Sequence, residues 1–464
     1  MKKFIYVYLL ITSIITILSA SNLPASRIVD WGNAGLYSDS PIYADNIITI
    51  ANSGSIKANI DAAIAQANDS SGTTIIYFPE GVYTITGTIL INNVKNSGII
   101  FQGDGPDKTI LKFDNVDRNN HCFYISGWSN SEISTTYNLF KGNNQIDCDG
   151  GSLTTGDWIV FCEPGFDDDY GSSSPYIGQV SKITNNNPSN NVITLKDNFS
   201  KYYSGSNNIW VKKINPTMNI GFENFKIKRT NPSNNDGSRW NKVDISGKTF
   251  GFDKCVNCWI KGVESYNCTG YHVHIYQSSH IEVSGCYIHH ATNYNSWNGS
   301  GYGVVLGNQT TNCLIENNIF KETRHAMLVG TGANSNVFGY NFSYDSEWDY
   351  PGYPGDIRLH GRYPYANLFE GNSVNLIYAD DTHGDNGYYN TFLRNYQRTT
   401  SSNGSYNLRL ENTKYSNCIA NKIEGGISTS NSNYLYDFCI ADYTGQIFTH
   451  GEYFLSPNNP NWRS

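Results

Sequence analysis

A short phrase, apolar residues followed by asparagine or glycine, recurs through the second half of the sequence and limits the fold more than any other feature. Its steps never fall below 23 residues, and a fixed minimum with occasional insertions is typical of a solenoid with coils of constant circumference. The apolar runs are short and rich in Val, Ile, Phe and Tyr, which predicts β-strands. The sequence therefore predicts an all-β fold, a right-handed parallel β-helix with coils from about residue 70 to residue 425. The phrase occurs at Gly262, Gly285, Asn318, Asn341, Asn372, Asn395 and Asn421.

Asparagine and glycine are expected to share this position because both tolerate the left-handed backbone of a tight turn. Asparagine side chains that stack on successive coils can also hydrogen-bond to one another along the axis. A ladder from Asn318 to Asn421 is therefore predicted. Cys286 is predicted to be buried in the coil core, in register with Ile319 and Phe342.

The N-terminus has the pattern of a secretory signal. Lys2 and Lys3 precede an apolar stretch of about 15 residues, and small residues follow, which predicts cleavage after Ala20 and a signal peptide over residues 1–20. The remaining chain, residues 21–464, is predicted to be a single β-helix domain. It is expected to be secreted, either extracellular or periplasmic, without a later membrane span.

Residues 56–67 have helical periodicity and predict a short N-terminal capping helix. Five apolar residues fall on one face of this helix, where they would cover the open end of the solenoid. The N-terminal cap is predicted at about residues 50–70 and a C-terminal cap at about residues 426–464. The five residues are Ile56, Ile60, Ala63, Ile64 and Ala67.

The charge balance argues against a nucleic-acid partner. The formal net charge is −8, with 40 acidic against 32 basic residues, and charged residues make up only 16% of the chain. Proteins that bind nucleic acid concentrate Lys and Arg in a patch or stripe, and this sequence has none.

Two segments that follow the predicted helix resemble a known family. Residues 74–83 contain a strand ending in Phe-Pro-Glu-Gly, and residues 98–105 contain one ending in Gly-Asp-Gly. Together they resemble the opening of the pectate-lyase-like β-helix superfamily and are similar to its rhamnogalacturonase and epimerase-type members. The resemblance implies the pectin-lyase-like fold. It implies no single activity, because that superfamily includes lyases, hydrolases, epimerases and phage tailspikes.

Four predicted strands end in a glycine that stands eleven residues before a recurring asparagine, and this common spacing predicts how the strands align. Because side chains alternate along a strand, Ile357 and Leu359 are predicted to point into the core. Asp356, Arg358 and His360 of the same strand then lie on the outer face. The four glycines are Gly307, Gly330, Gly361 and Gly384.

On the next coil the same parity places Asp381 and His383 on the outer face. Equivalent residues of neighbouring coils lie about 4.7–4.9 Å apart. The alignment therefore predicts that His360 stacks on His383 and Arg358 on Asp381. The face is predicted to extend to Arg324, His325 and Arg409.

Ionisable residues of this kind on one face predict a catalytic site rather than a solvated ladder. Histidine is a general base near neutral pH, aspartate can orient it, and arginine can neutralise a substrate carboxylate. His360 or His383 as base, Arg358 or Arg409 as neutraliser, and Tyr365 as acid would together remove the proton next to a uronate carboxylate. The predicted function is therefore a polysaccharide lyase that acts on an acidic, uronate-containing glycan.

Two alternatives stay open. A glycoside hydrolase that inverts configuration needs two carboxylates about 6.5–9.5 Å apart, for which Asp381 with Asp356 or Glu347 is available. A non-catalytic glycan-binding or structural β-helix would instead use an aromatic loop that includes Trp348, since sugar rings pack on aromatic faces. On every alternative but the structural one the partner is a polysaccharide, and the oligomeric state is left open.

No metal site is assigned from the sequence. His272 and His274 form a His-x-His pair near His289 and His290, but no carboxylate is interleaved among them in the sequence. Residues 167–169, three consecutive aspartates, are predicted to form a solvated loop, with calcium left open as a cofactor.

Overall fold

The computed structural model describes residues 25–37, 44–92, 94, 98–114, 116, 120–148, 152–164, 177–230, 247–268, 270–291, 301–346, 355–398, 406–430, 436–441 and 447–449. The predicted signal peptide, Glu347, Trp348 and the aspartates at 167–169 lie outside these ranges. Among the helices within them, none has the length and apolar character to span a bilayer.

Each complete coil of the solenoid has three short strands, and each strand pairs in parallel with its equivalent on the next coil. One coil, for example, has the strands Leu314–Glu316, Ile319–Lys321 and His325–Val329. In the described part of the chain the third strands form a ten-stranded sheet. Its members are Ile89–Asn92, Phe123–Ser126, Lys248–Asp253, Tyr271–Tyr276, Tyr302–Gly307, His325–Val329, Ile357–His360, Ile377–Asp380, Tyr406–Glu411 and Gly426–Ser430.

The first and second strands of the coils belong to one 23-stranded sheet within the described ranges. The first strands, with the additional strands at the two ends, are Asn46–Thr49, Thr74–Phe78, Ile99–Gly103, Thr217–Met218, Ile220–Glu223, Cys255–Lys261, Ser279–Ser284, Leu314–Glu316, Val337–Gly339, Leu368–Glu370, Thr391–Leu393, Asn417–Ile423, Tyr436–Ala441 and Ile447–Thr449. The second strands are Gly81–Thr86, Thr109–Asp114, Lys226–Arg229, Glu264–Cys268, Tyr287–Ala291, Ile319–Lys321, Phe342–Tyr344, Ser373–Val374 and Tyr396–Gln397.

The three-strand coils enclose one apolar core, and the chain is a right-handed parallel β-helix, as predicted. Equivalent aromatic residues stack inside it, with ring centroids of Phe338 and Phe369 5.1 Å apart and those of Phe369 and Phe392 5.2 Å apart. Such stacking follows from the parallel register, because identical strand positions repeat along the axis.

The predicted asparagine ladder is present. The Nδ2 of each ladder asparagine donates to the Oδ1 of the next, at 3.0 Å from Asn318 to Asn341 and 2.9 Å from Asn395 to Asn421. Each amide also donates to a backbone carbonyl, so that these buried polar groups are satisfied. A second ladder, which the sequence did not predict, joins Asn336, Asn367 and Asn390.

The left-handed backbone was predicted at the ladder asparagines themselves, and this prediction is wrong by one residue. The left-handed residues precede the ladder asparagines, as at Asn317 with φ 54° and Tyr340 with φ 55°. Gly285 aligns with Asn317, because its N–H donates to the carbonyl of Glu316. Cys286 is buried as predicted, but it aligns with Asn318, whose Oδ1 accepts its N–H, and not with Ile319.

The predicted capping helix runs from Ile56 to Asp69. Its N-cap is Ser55, whose side chain accepts the N–H of Ala58 and satisfies one of the unpaired donors of the first turn. Four of the five residues predicted on its apolar face are buried, and Ile64 packs against the same core while partly buried.

An antiparallel sheet of six strands, within the described residues of 128–215, is inserted in the chain after the strand Phe123–Ser126 and before the strand Thr217–Met218 of the next coil. It packs against coil turns, where the hydroxyl of Tyr365 donates to the carbonyl of Gly178 at 2.6 Å and lies 2.7 Å from the hydroxyl of Tyr203. Its members are Trp128–Thr135, Gln145–Asp147, Trp158–Glu163, Ile177–Asn187, Val192–Leu195 and Ile209–Asn215. Elsewhere in the described chain, 3-10 turns are formed by Ala25–Arg27 and Gly205–Asn207.

Candidate active site

The outer face of the ten-stranded sheet bears several of the predicted site residues. Ile357 and Leu359 are fully buried in the coil core, so Arg358 and His360 project from the opposite face, as predicted. Alternation along a β-strand requires this arrangement.

The predicted pairing across the next coil is wrong. Arg358 pairs with Tyr378 and His360 with Asp380, an offset of 20 residues instead of the 23 expected from the glycines. Three residues, Asp381 to His383, follow this strand as a turn in which the Oδ1 of Asp380 accepts the N–H of Thr382. The turn absorbs the missing three residues, and therefore Arg358 does not stack on Asp381.

The turn brings His383 back to His360 after the strand has ended. Their ring centroids are 4.6 Å apart, close to the spacing of about 4.7–4.9 Å expected between neighbouring coils. A Cβ at Gly361 would lie 2.7 Å from the carbonyl oxygen of Gly384, so the two glycines meet although the strands before them are shifted.

Asp380 joins Arg358 and His360 into one ionic cluster. The Nδ1 of His360 lies 2.8 Å from Oδ2 of Asp380, and the Nε of Arg358 lies 2.5 Å from the same oxygen. Burial alone would raise the pKa of Asp380, but the charge of Arg358, together with the hydrogen bonds from His360 and Thr382, outweighs it and holds the pKa well below its usual range. Asp380 is therefore ionised, and it fixes which nitrogen of His360 faces the carboxylate.

The next coil adds a second cluster on the same face. The ring of Tyr378 lies between two guanidinium groups, 4.0 Å from Arg358 and 4.6 Å from Arg409. Glu411 accepts a hydrogen bond from the Tyr378 hydroxyl at 2.9 Å and lies 2.5 Å from Nη2 of Arg409. Arg409 is thus in the Arg358 column, two coils on, as the register Arg358–Tyr378–Arg409 shows.

His325 lies on the other side of His360, with ring centroids 6.1 Å apart. It is buried, and its Nδ1 accepts the N–H of Gly355 at 3.1 Å. Burial, with the charges of Arg324 and Arg358, lowers its pKa well below the usual value, so His325 is neutral. Arg324 lies over the ring of Tyr302 at 5.4 Å.

Three predicted site residues have other positions. Asp356 is buried and is therefore not exposed on the outer face. Its Oδ1 accepts hydrogen bonds from the hydroxyls of Ser343 and Ser346, and its Oδ2 accepts from two backbone N–H groups. Asp381 lies beyond the end of the strand and accepts from Asn412. Tyr365 is fully buried against the inserted sheet and does not meet a substrate on this face.

The sequence missed Asp380, Tyr378 and Glu411. Counting alternate residues forward from Ile377, whose side chain is in the core, would have placed Tyr378 and Asp380 on the outer face. Within the described ranges, no group of three or more His, Cys, Asp or Glu residues is arranged to hold a metal ion.

The fold has known counterparts. A model of the family described as rhamnogalacturonase A/epimerase, pectate lyase-like, matches residues 52–259. The tailspike gp61 of Pseudomonas phage phi297 is 14% identical with a TM-score of 0.58, over 83% of this chain and 62% of that one. The tailspike gp49 of Pseudomonas phage LKA1 is also 14% identical, with a TM-score of 0.51, over 82% of this chain and 57% of that one.

The chain thus spans less than two thirds of the length of these two tailspikes, and the likeness concerns the fold. No curated protein sequence matches the chain. The family model and the shared architecture agree with the parallel β-helix described above. The chain has a right-handed parallel β-helix fold and is similar, over residues 52–259, to the pectate-lyase-like family.

Proposed function

We propose that this protein is a polysaccharide lyase that cleaves a uronate-containing glycan on the outer face of the ten-stranded sheet, with His360 as the base. The observation that supports it most is the pairing of His360 Nδ1 with the buried carboxylate of Asp380. This pairing leaves Nε2 of His360 for a substrate, and 21% of the His360 side chain is exposed. Asp380, at 1% exposure, is shielded from the substrate and acts by positioning the imidazole.

In the proposed step, Nε2 of His360 takes the proton from the carbon next to the uronate carboxylate. The electron pair of that C–H bond forms a double bond to the neighbouring ring carbon, which releases the glycosidic oxygen. That oxygen takes a proton from the imidazolium of His383, whose ring is 4.6 Å from His360. Asp380 stabilises the positive charge that His360 gains.

Arg409 is the residue proposed to meet the substrate carboxylate. Its side chain is 21% exposed, whereas that of Arg358 is 8% exposed and is held against Asp380. Neutralising the carboxylate lowers the cost of forming negative charge on the adjacent carbon. The family description, which includes rhamnogalacturonase, supports a glycan of this class.

The competing two-carboxylate hydrolysis is disfavoured by the ionisation of Asp380. An inverting hydrolase needs one carboxyl group that still holds its proton. The Arg358 guanidinium and His360 keep the pKa of Asp380 too low for that, even though its burial acts in the opposite direction. Asp356, one of the carboxylates predicted for a hydrolase, has both oxygens occupied by hydrogen bonds.

The test is a panel of uronate-containing and neutral polysaccharides. Cleavage is followed by the ultraviolet absorbance of unsaturated ends and by reducing ends. Wild type is expected to produce both signals on an acidic glycan. His360→Gln should lose them at least about 100-fold, as expected for removal of a general base. His290→Gln, a partly exposed histidine on the other sheet, serves as the matched control.

Reducing ends that form without unsaturated ends would show that the protein is a hydrolase and not a lyase. Retention of a polysaccharide by wild type without cleavage would instead identify a glycan-binding protein. Equal activity in wild type and His360→Gln would move the site elsewhere.

A further inference from the structure

A cavity of about 380 Å³ lies on the inserted antiparallel sheet, and none of the residues that line it belongs to the ten-stranded sheet of the candidate active site. Three chain segments line this cavity, residues 134–137, 147–148 and 190–191. In the order of the six strands, Trp128–Thr135 and Gln145–Asp147 stand at the two ends, so they are the edge strands of the inserted sheet. The cavity therefore lies where the ends of the two edge strands meet.

One buried hydroxyl joins these two edges. The hydroxyl of Thr135, a residue that is 5% exposed, donates to the carbonyl of Asp147 at 2.5 Å and accepts the N–H of Tyr137 at 3.2 Å. The third segment is held by the N–H of Cys148, which donates to the carbonyl of Asn191 at 2.8 Å. The inserted sheet thus curls until its edges touch, as in a small barrel. The mouth of a β-barrel is one of the places where small-molecule sites preferentially occur.

The fold leaves the polar side chains at this mouth unused. Across the described ranges, no hydrogen bond or ion pair engages the carboxylate of Asp147 or the side-chain amides of Asn190 and Asn191. The ladder asparagines differ, since the amide of Asn341 donates twice within the core. Tyr137 is 61% exposed, so its ring is also open to a ligand.

These groups match the surface of a sugar, which has hydroxyls around its edge and C–H groups on its faces. A carboxylate accepts hydrogen bonds from hydroxyls, a side-chain amide both donates and accepts, and an aromatic ring packs against the apolar face. The cavity is at the lower end of the range of about 300–1,000 Å³ for small-molecule sites, as expected for one or two sugar units.

The charge of the lining favours an uncharged sugar. Among the described residues that line the cavity, Asp147 carries the negative charge, and none is a lysine, arginine or histidine. Asp147 would repel a uronate carboxylate, because no cation in the lining offsets it.

We propose that this cavity is a second carbohydrate-binding site, which holds a neutral sugar unit. The sugar ring packs on Tyr137, and its hydroxyls bond to Asp147, Asn190 and Asn191. The site is independent of the proposed lyase activity, which concerns an acidic glycan on another sheet.

The experiment measures binding of neutral oligosaccharides of glucose, mannose, galactose, xylose and N-acetylglucosamine by saturation-transfer NMR, in buffer with EDTA. Wild type is expected to bind at least one of them. Asp147→Asn should weaken that binding at least about tenfold, because a hydrogen bond to a charged group is lost. Tyr137→Ala removes the packing surface and should weaken it at least about fivefold.

Two substitutions on the solenoid are the matched controls. Asp107→Asn changes an exposed aspartate, and Tyr340→Ala changes a tyrosine that is 58% exposed; both should bind the sugar as wild type does. His360→Gln should also bind it unchanged. The proposal is overturned if none of the neutral oligosaccharides binds, if Asp147→Asn or Tyr137→Ala binds as tightly as wild type, or if binding needs added calcium. Loss of binding in His360→Gln would place the sugar on the ten-stranded sheet instead. Cleavage of an acidic glycan is measured separately, so either proposal can fail without the other.

Discussion

Removing one amide from the asparagine ladder should lower stability more than any surface substitution does. In Asn341→Ala four hydrogen bonds are lost. Nδ2 of Asn341 donates to the carbonyl of Ile315 at 2.8 Å and to Oδ1 of Asn372 at 3.0 Å. Oδ1 accepts from the backbone N–H of Asn318 at 3.1 Å and from its Nδ2 at 3.0 Å.

The magnitude follows from what the substitution leaves behind. Each buried hydrogen bond contributes about 1 kcal/mol net, and a buried donor left without an acceptor costs about 1–3 kcal/mol. The backbone N–H of Asn318 is such a donor, because the Oδ1 of Asn341 is its acceptor. The free energy of unfolding should therefore fall by about 3–5 kcal/mol.

Urea unfolding followed by circular dichroism measures this loss, and hydrogen exchange locates it. The amide of Asn318 should exchange faster in Asn341→Ala than in wild type. The control is Asn185→Ala, an exposed asparagine in the inserted sheet, which should change stability by less than about 0.5 kcal/mol. If Asn341→Ala costs no more than this control, the ladder does not stabilise the solenoid as described.

Three further predictions concern the candidate site. Arg358 and His360 keep the pKa of Asp380 below its unfolded value despite burial, so the ionised Asp380 should stabilise the fold above about pH 4 and lose this effect only at lower pH. In unfolding measured as a function of pH, Asp380→Asn should abolish this loss of stability at low pH. Gly361→Ala, at φ 65° and against the next coil, should destabilise by at least about 1 kcal/mol and reduce activity, measured by unfolding and by initial rates; full activity and stability would contradict the described contact. Tyr365→Phe should lose about 1–2 kcal/mol of stability and keep its kcat, and a large fall in kcat would restore Tyr365 as the acid.

The coil repeat was predictable because it depends on local sequence. Buried asparagines such as Asn341 recur where a turn meets the core, and their spacing gives the coil length directly. The capping helix was predictable for the same reason, since the apolar face of residues 56–67 repeats at helical spacing. Both features can be read from residues that are near one another in the chain.

The register of the active-site strands was not predictable from the glycines alone. A constant 23-residue step assumes that no residue is looped out, but the turn after Asp380 absorbs three. Gly361 and Gly384 still meet because the chain realigns after the turn. The spacing therefore predicted the contact between His360 and His383 correctly, but it predicted Asp381 where Asp380 is the carboxylate of the site.

Contacts between coils were a second feature that could not be predicted from the sequence. The sequence around His289 and His290 has no interleaved carboxylate, yet Glu264 and Glu322 reach both rings from the coils on either side. The antiparallel inserted sheet was missed as a sheet because its pairings, such as Trp158 with Ile214, join residues far apart in the chain.

The most direct test of the account is the product formed from an acidic polysaccharide by wild type and by Asp380→Asn. Wild type should generate unsaturated ends in step with reducing ends, and Asp380→Asn should slow both at least about 100-fold while its circular dichroism remains that of a β-helix. Reducing ends without unsaturated ends, or an Asp380→Asn variant as fast as wild type, would contradict the assignment of His360 and Asp380 as the base and its positioning carboxylate.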